Sequence, residues 1–331
     1  MQCSGRATTR AKVRARVIRG ALLLLLALLQ GCTLEPQHPF RVGTNVWVGY
    51  EPLYLARQLG YYDDTPIRLV ELPNASEVIQ ALRNGVLEAA ALTLDEALTL
   101  VEDEYDLRIV LVFDFSHGGD ALLAKPDIAT LQELRGKRIA VESTAVGAVM
   151  LEAALDAAGL TLADISLLPA TVDRHMELYR DGSADALVTF DPVRSRLLAL
   201  GARSLFDSSQ IPSRIVDVLV VRREVLPKDG TALRQLLAGY FEALEYQRKQ
   251  PELAAQRMST RLGLNADEAM VAFRGLHRPG VGENRSLLAG AQQQALMQTL
   301  HYLTRLLSRQ KRLSTALPTQ SLLDAQWLPR Q

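Results

Sequence analysis

The chain has 331 residues, enough for two modest domains that each bury a core. Its 37 basic and 37 acidic residues balance, but six of the basic ones fall within the first 20 positions. The remainder is therefore mildly acidic with no basic cluster, which argues against a nucleic-acid binder.

Positions 1–20 hold Arg6, Arg10, Lys12, Arg14, Arg16 and Arg19 and no acid, and the apolar run 21–29 follows. Nine residues rise only about 14 Å as a helix, too little for a hydrocarbon core of about 30 Å. This order reads as a secretory signal over 1–31. The sequence "LLQGC" resembles a bacterial lipobox, which makes Cys32 the lipidated first residue of the mature chain. The two cysteines are Cys3 and Cys32, so no thiol is left for a disulfide, a metal or a nucleophile. Residues 32–39, with two prolines, read as a tether between membrane and domain.

A βα rhythm then begins. A strand over 40–47 leads into a helix that opens at Pro52 and closes at Gly60. Strands follow at 67–72, 88–92 and 107–113, with helices at 75–84 and 94–102. After "DFSHGGDALLAKPDI" the rhythm restarts: strand 138–141, helix 145–158 capped by Thr144, strand 166–168, helix 172–180 and strand 185–189. A helix from Pro192 to Gly201 and a strand in "IVDVLVVRREVL" come next, and everything after about Thr231 reads helical. Such alternation implies mostly parallel sheets covered on both faces. The stretches "ALRNGVLEAAALTLDEA" and "ELYRDGSADALVTFDPV" share one scheme, which points to two lobes of similar build.

Ligands of open α/β sheets bind at the carboxyl ends of the strands. That rule selects the turns carrying Trp47, Tyr50 and Glu51; Thr93 and Asp95; Ser143, Thr144 and Val146; and Phe190 and Asp191. Ser116 and Asp120 join them from "SHGGD", and Asp217 from the last strand. None of these turns carries a lysine or arginine, so the expected cleft is acidic, with Trp47 and Tyr50 as a flat apolar wall. Ser116, His117 and Asp120 lack a nucleophile elbow. The histidines His38, His175, His277 and His301 have no metal-ligand spacing, and His175 reads as part of a solvated helix face. No cofactor and no metal is expected, and the chain reads as a binder rather than an enzyme.

The segments "VWVGYEPLYLARQLGYY", "LRGKRIAVESTAVGAVMLEAALDAAGL" and "DGSADALVTFDP" resemble the periplasmic solute-binding proteins of nitrate/sulfonate/taurine-type ABC importers, a group that includes binders of thiamine-precursor pyrimidines. The resemblance implies a type II periplasmic-binding-protein fold: two doubly wound α/β lobes joined by two crossing strands, with a helical C-terminus. It implies one lobe from 40–120 and 220–331 and another from 121–219, with crossings near 121–125 and 215–221. It further implies a monomer that delivers a small-molecule solute to an ABC permease and its ATPase on the periplasmic side of a bacterial membrane. Aspartates without arginine favour an amine-bearing sulfonate or an aminopyrimidine over a bare anion. Two alternatives stay open: a solute sensor signalling to a membrane kinase or cyclase, and a pyrimidine-synthesising enzyme of the same fold.

Overall fold

In the computed structural model, placement is described for residues 38–330 apart from 64, 143–144, 311–312, 314–316 and 318–320. The signal over 1–31, Cys32, most of the tether, Ser143 and Thr144 therefore lie outside the described residues. Strands β1 (Phe40–Thr44), β2 (Ile67–Glu71), β3 (Ala89–Thr93) and β4 (Leu107–Ser116) alternate with helices α1 (Glu51–Leu59), α2 (Ala75–Arg83) and α3 (Leu94–Glu102). Next come β5 (Asp120–Ala124), β6 (Arg138–Val141), α4 (Ala145–Ala158), β7 (Ser166–Pro169), α5 (His175–Arg180), β8 (Ala186–Phe190), α6 (Val193–Ala199), β9 (Arg203–Asp207) and β10 (Val216–Arg222). The tail holds α7 (Leu226–Lys249), α8 (Pro251–Leu262), α9 (Ala266–Arg274), β11 (Leu276–His277), α10 (Val281–Ala289) and α11 (Gln293–Arg309).

Two sheets result, a six-stranded one ordered β11-β4-β10-β3-β1-β2 and a five-stranded one ordered β7-β6-β8-β5-β9. Each has a parallel trio, β2-β1-β3 or β7-β6-β8. Each trio is followed by an antiparallel strand, β10 or β5, that the chain supplies as it passes between sheets. The likeness between the halves reaches side-chain detail. Arg41 donates its backbone N–H and Nε to Glu88, at 2.8 and 2.9 Å, and Nη2 to the Gly85 carbonyl. Arg138 does the same to Asp185, at 2.8 and 3.0 Å, and to the Gly182 carbonyl. Every position is 97 residues on from its counterpart (41 to 138, 85 to 182, 88 to 185). Both glycines sit at positive φ, 70° and 77°, where a side chain would be strained. The acid after each glycine thus clamps a helix end to the start of the first strand of its trio.

The apolar layers follow from this plan. One face of the first sheet packs Phe40, Val42 and Phe113 against Leu53 of α1, Tyr240 of α7 and Met258 of α8. A second core runs through both sheets, joining Leu98 of α3 to Val149 and Met150 of α4 and to Leu300 and Leu307 of α11. A smaller core, with Leu187 and Leu197, lies on the remaining face of the second sheet.

Several expectations shift by a few residues, and some fail. β1 stops at Thr44 because Val48–Tyr50 winds into a 3-10 turn that feeds α1. β4 runs on to Ser116 because β10 and β11 pair with its end. β9 went unpredicted: it is a mostly exposed edge strand with only Phe206 buried, so it lacks an alternating pattern. The helical tail begins at Leu226, not Thr231. His175 is 1% exposed rather than solvated, its ring nitrogen 3.2 Å from the Ala170 carbonyl, and burial holds its pKa down at about 4.

The outer edge of β4 is closed by three different devices. β11 covers residues 115–116. The C-terminal strap takes Ile109, whose N–H donates to Leu322 O at 2.7 Å while its carbonyl accepts from Asp324 N–H at 2.9 Å. Between them, fully buried Asn284 behaves like a strand residue: its Oδ1 accepts from Val112 N–H at 2.7 Å and its Nδ2 donates to Val112 O at 3.0 Å. Removing that amide strands two buried backbone groups, each costing about 1–3 kcal/mol. Asn284→Ala is expected to destabilise the chain by roughly 2–5 kcal/mol, read from the urea midpoint at unchanged m-value.

Candidate functional site

The two sheets meet at their strand ends, and strand register decides which side chains arrive there. In the first sheet Asp217 of β10 stands between Thr93 of β3 and Asp114 of β4. In the second, Asp120 of β5 stands opposite Phe190 of β8. The loop after β1 lays Trp47 and Tyr50 over the first row. Gly49 is required there, because a Cβ would run into the Asp114 carboxylate and the Trp47 indole.

One cavity collects these groups. Asn45, Trp47, Tyr50, Thr93, Glu96 and Asp217 line it from the first sheet, and Asp120, Glu142, Val146 and Phe190 from the second. Trp47 and Phe190 touch edge to face across the gap, with centroids 5.5 Å apart. The enclosed space is only about 20 Å³, room for about one water, so the two sides are closed on each other. Polar contacts span the same seam. Glu142 Oε1 accepts from Ser76 N–H and Oγ–H at 3.1 and 2.9 Å, and Asn74 Nδ2 donates to Asp173 at 3.1 Å.

The charge inside is lopsided. Trp47 Nε1 donates to Asp114 Oδ2 at 3.3 Å, and Tyr50 Oη donates to Asp217 Oδ1 at 2.5 Å. Asp114 and Asp217 are register partners on adjacent antiparallel strands. Burial and then the charge of Asp120 push Asp114 up, and burial and then the charges of Asp114 and Asp120 push Asp217 up. Asp114 titrates at about 7, and Asp217 is raised well above the usual carboxylate range. Asp120 is also lifted to about 7, by burial and by the charges of Asp95 and Asp191, against a bond to Ser116 and the charge of Arg194. Burial raises Glu142 too. Asp120 Oδ2 is buried and has no hydrogen-bond partner among the described residues.

Of the residues selected from sequence, Trp47, Tyr50, Thr93, Asp120, Val146, Phe190 and Asp217 come together here. Four others do not line the cavity. Glu51 turns to Arg261, which bonds it through Nε at 2.9 Å and also stacks on Tyr54 at 3.4 Å. Asp191 caps α6, accepting from Ser195 N–H and Oγ–H at 3.0 and 2.6 Å. Asp95 is buried on α3 just behind the wall. Ser116 Oγ meets Ser208 Oγ at 2.8 Å and accepts from Asp120 N–H, so it braces the crossing.

Four groups at the site were not anticipated. Glu96 accepts from Thr93 N–H at 3.0 Å, a T-x-x-E pattern readable in sequence. Glu142 directly follows β6, Asn45 follows β1, and Asp114 interrupts the apolar run "LVFDFS", itself a signal of a buried functional acid. Two arginines outside the lining act on these acids. Arg194 reaches Asp191 at 3.4 Å and bears on Asp120, and half-buried Arg278 bears on Asp114.

Comparison with known proteins agrees with this layout. A protein from Escherichia coli (strain K12) described as an aliphatic sulfonates-binding protein is 25% identical over 221 residues, covering 66% of this chain and 68% of that one. The alkanesulfonate-binding protein SsuA from Xanthomonas axonopodis pv. citri, solved bound to MOPS, superposes with a TM-score of 0.70 at 19% identity, over 88% of this chain and 98% of that one. The desulfurization enzyme DSZB shares the fold more loosely, with a TM-score of 0.60 at 15% identity over 87% of this chain and 97% of that one. The profile of the NMT1-like family matches residues 34–261, and the chain belongs to that family.

Proposed function

We propose that this chain is a lipid-tethered, monomeric solute-binding protein of an ABC importer, which captures a small organic solute between two lobes and delivers it to a permease and its ATPase. The observation that carries the reading is the cavity itself. Aromatic and carboxylate side chains from segments far apart in sequence converge between two separately built sheets. The sulfonate-binding description of the Escherichia coli relative supports the class of solute, and the acidic lining favours a member that bears an amine, either an amino-sulfonate or an aminopyrimidine.

Binding rather than catalysis suits the lining, which offers carboxyls, aromatics, an amide and one threonine. Both cysteines, Cys3 and Cys32, precede the folded unit that begins at Pro39. The closed space of about 20 Å³ cannot admit such a solute, so its entry requires the two sides to part at the crossings, β5 and β10. Tethering through Cys32 would hold the binder on the periplasmic face of its membrane, within reach of the permease.

Thermal-shift screening of the full chain in detergent against sulfonates, taurine, nitrate, amines and aminopyrimidines tests the reading. A ligand at a hundredfold excess over Kd is expected to stabilise by about 2.7 kcal/mol. No shift with any class would refute it. Trp47→Ala and Phe190→Ala are each expected to weaken the ligand found by about 10-fold or more while leaving the fold intact, since each removes one side of the aromatic contact. For the anchor, labelled palmitate should enter the wild-type chain and not Cys32→Ser; incorporation into both, or neither, would rule out lipidation at this residue.

A further inference from the structure

The carboxyls of the cavity outnumber its cations. Asp120 and Asp217 line it and Asp114 stands beside Asp217 on the next strand; Asp95 and Asp191 bear on Asp120, and Glu96 on Asp217. Glu142 lines the opposite wall, with Asp173 beyond it. Against these stand Arg194, which is tied to Asp191, and Arg278, which is drawn to Gln247. Tyr50 and Trp47 donate one hydrogen bond each to Asp217 and Asp114 and carry no charge.

Asp114 and Asp217 are register partners on adjacent strands and both are buried, an arrangement that disfavours ionisation of the two together. Asp120, 5% exposed, adds a third acid that lines the cavity, and its buried Oδ2 has no partner among the described residues. A buried oxygen left bare in this way is costly, and an N–H donor with positive charge satisfies both its needs at once.

Resting on the solute-binding reading above, we infer that the cleft takes its solute as a nitrogen cation bonded to Asp120 Oδ2, and that binding expels a proton from the Asp114–Asp120–Asp217 cluster. The step balances: the free site is neutralised by a proton, the cation replaces that charge, and the proton leaves to solvent. The sign follows. Below the pH at which the cluster ionises, the cation must compete with the proton, so affinity rises with pH and then levels. An anion would bind with proton uptake and lose affinity as pH rises.

The test is calorimetry on the full chain in detergent with benzamidine, 4-aminopyridine and tyramine as cations, taurine as zwitterion and benzenesulfonate as anion. Each is titrated from pH 5.5 to 8.5 in two buffers of unlike ionisation heat. The expected result is that a cation binds with about one proton released and an affinity that climbs roughly tenfold per pH unit up to about pH 7. Asp120→Asn should then weaken the cation and reduce the proton count. Tightest binding of benzenesulfonate, or a cation bound without proton release, would overturn the inference while leaving the solute-binding reading standing. Binding of no probe would count against that reading itself.

A ligand-free measurement decides the proton separately. The folded Asp120 titrates near 7 and its unfolded form near 3.8. Between those values the folded chain holds the extra proton, so the wild type loses stability as pH rises from about 4 to 7. Asp120→Asn removes that loss. Its Tm advantage is expected to grow from pH 5 to about 7 and level at a few degrees beyond. A pH-independent difference would overturn the proton assignment.

Discussion

The placement of β10 governs this protein. The chain leaves the first sheet at β5 and must come back, and it returns not at an edge but in the middle, between β3 and β4. Because β10 runs antiparallel to both neighbours, its first residues lie at their carboxyl ends. Asp217 is thereby driven in beside Thr93 and Asp114, at the point where the loops after β1 and β3 also end. The second sheet repeats the arrangement, with β5 inserted beside β8 so that Asp120 meets Phe190. A site made in this way owes its charge to strand register, and a one-residue slip would turn each acid to the other face.

Such placement explains both the reach and the limits of the sequence. The βα rhythm, the helix-ending glycines and the local likeness between the halves were legible because they depend on residues close together. The acid after Gly85 and Gly182 was visible as part of a repeated scheme, although its purpose, gripping Arg41 or Arg138, needs a partner 47 positions away. Which residues stand at strand ends is readable from the sequence, but the direction each faces is not. Glu51 and Tyr50 are adjacent, yet Tyr50 enters the cavity while Glu51 is held by Arg261, 210 residues further on. Asp191 had a nearer competitor, since the N–H and hydroxyl of Ser195 in the next turn claim it as a cap. Asp114 was lost for the opposite reason: it sits inside an apolar run that reads as ending at Phe113, and only pairing with β10 and β11 carries the strand past it.

The seam between the sheets combines one extensive apolar layer with a set of smaller contacts. On one side of the hinge strands the two halves share a continuous apolar layer through α3, α4 and α11, which favours keeping them together. Across the cleft itself the contacts are few and individually modest. The Trp47–Phe190 edge is worth about 0.5–1.5 kcal/mol. The bonds Ser76–Glu142, Asn74–Asp173 and Arg196 Nη2 to the Leu262 carbonyl, 2.6 Å long, are each worth about 1 kcal/mol net.

The same contact brings the acids of both sheets together, and those that are ionised repel one another against these contacts. A solute that supplies positive charge between Asp120 and the Asp114–Asp217 pair removes the opposing term and leaves the aromatic and polar contacts unopposed. One that supplies none must be held by contact area alone. Under the proposed function, charge at the strand ends therefore does more than select the solute: it favours closure around a cation over closure on an empty site.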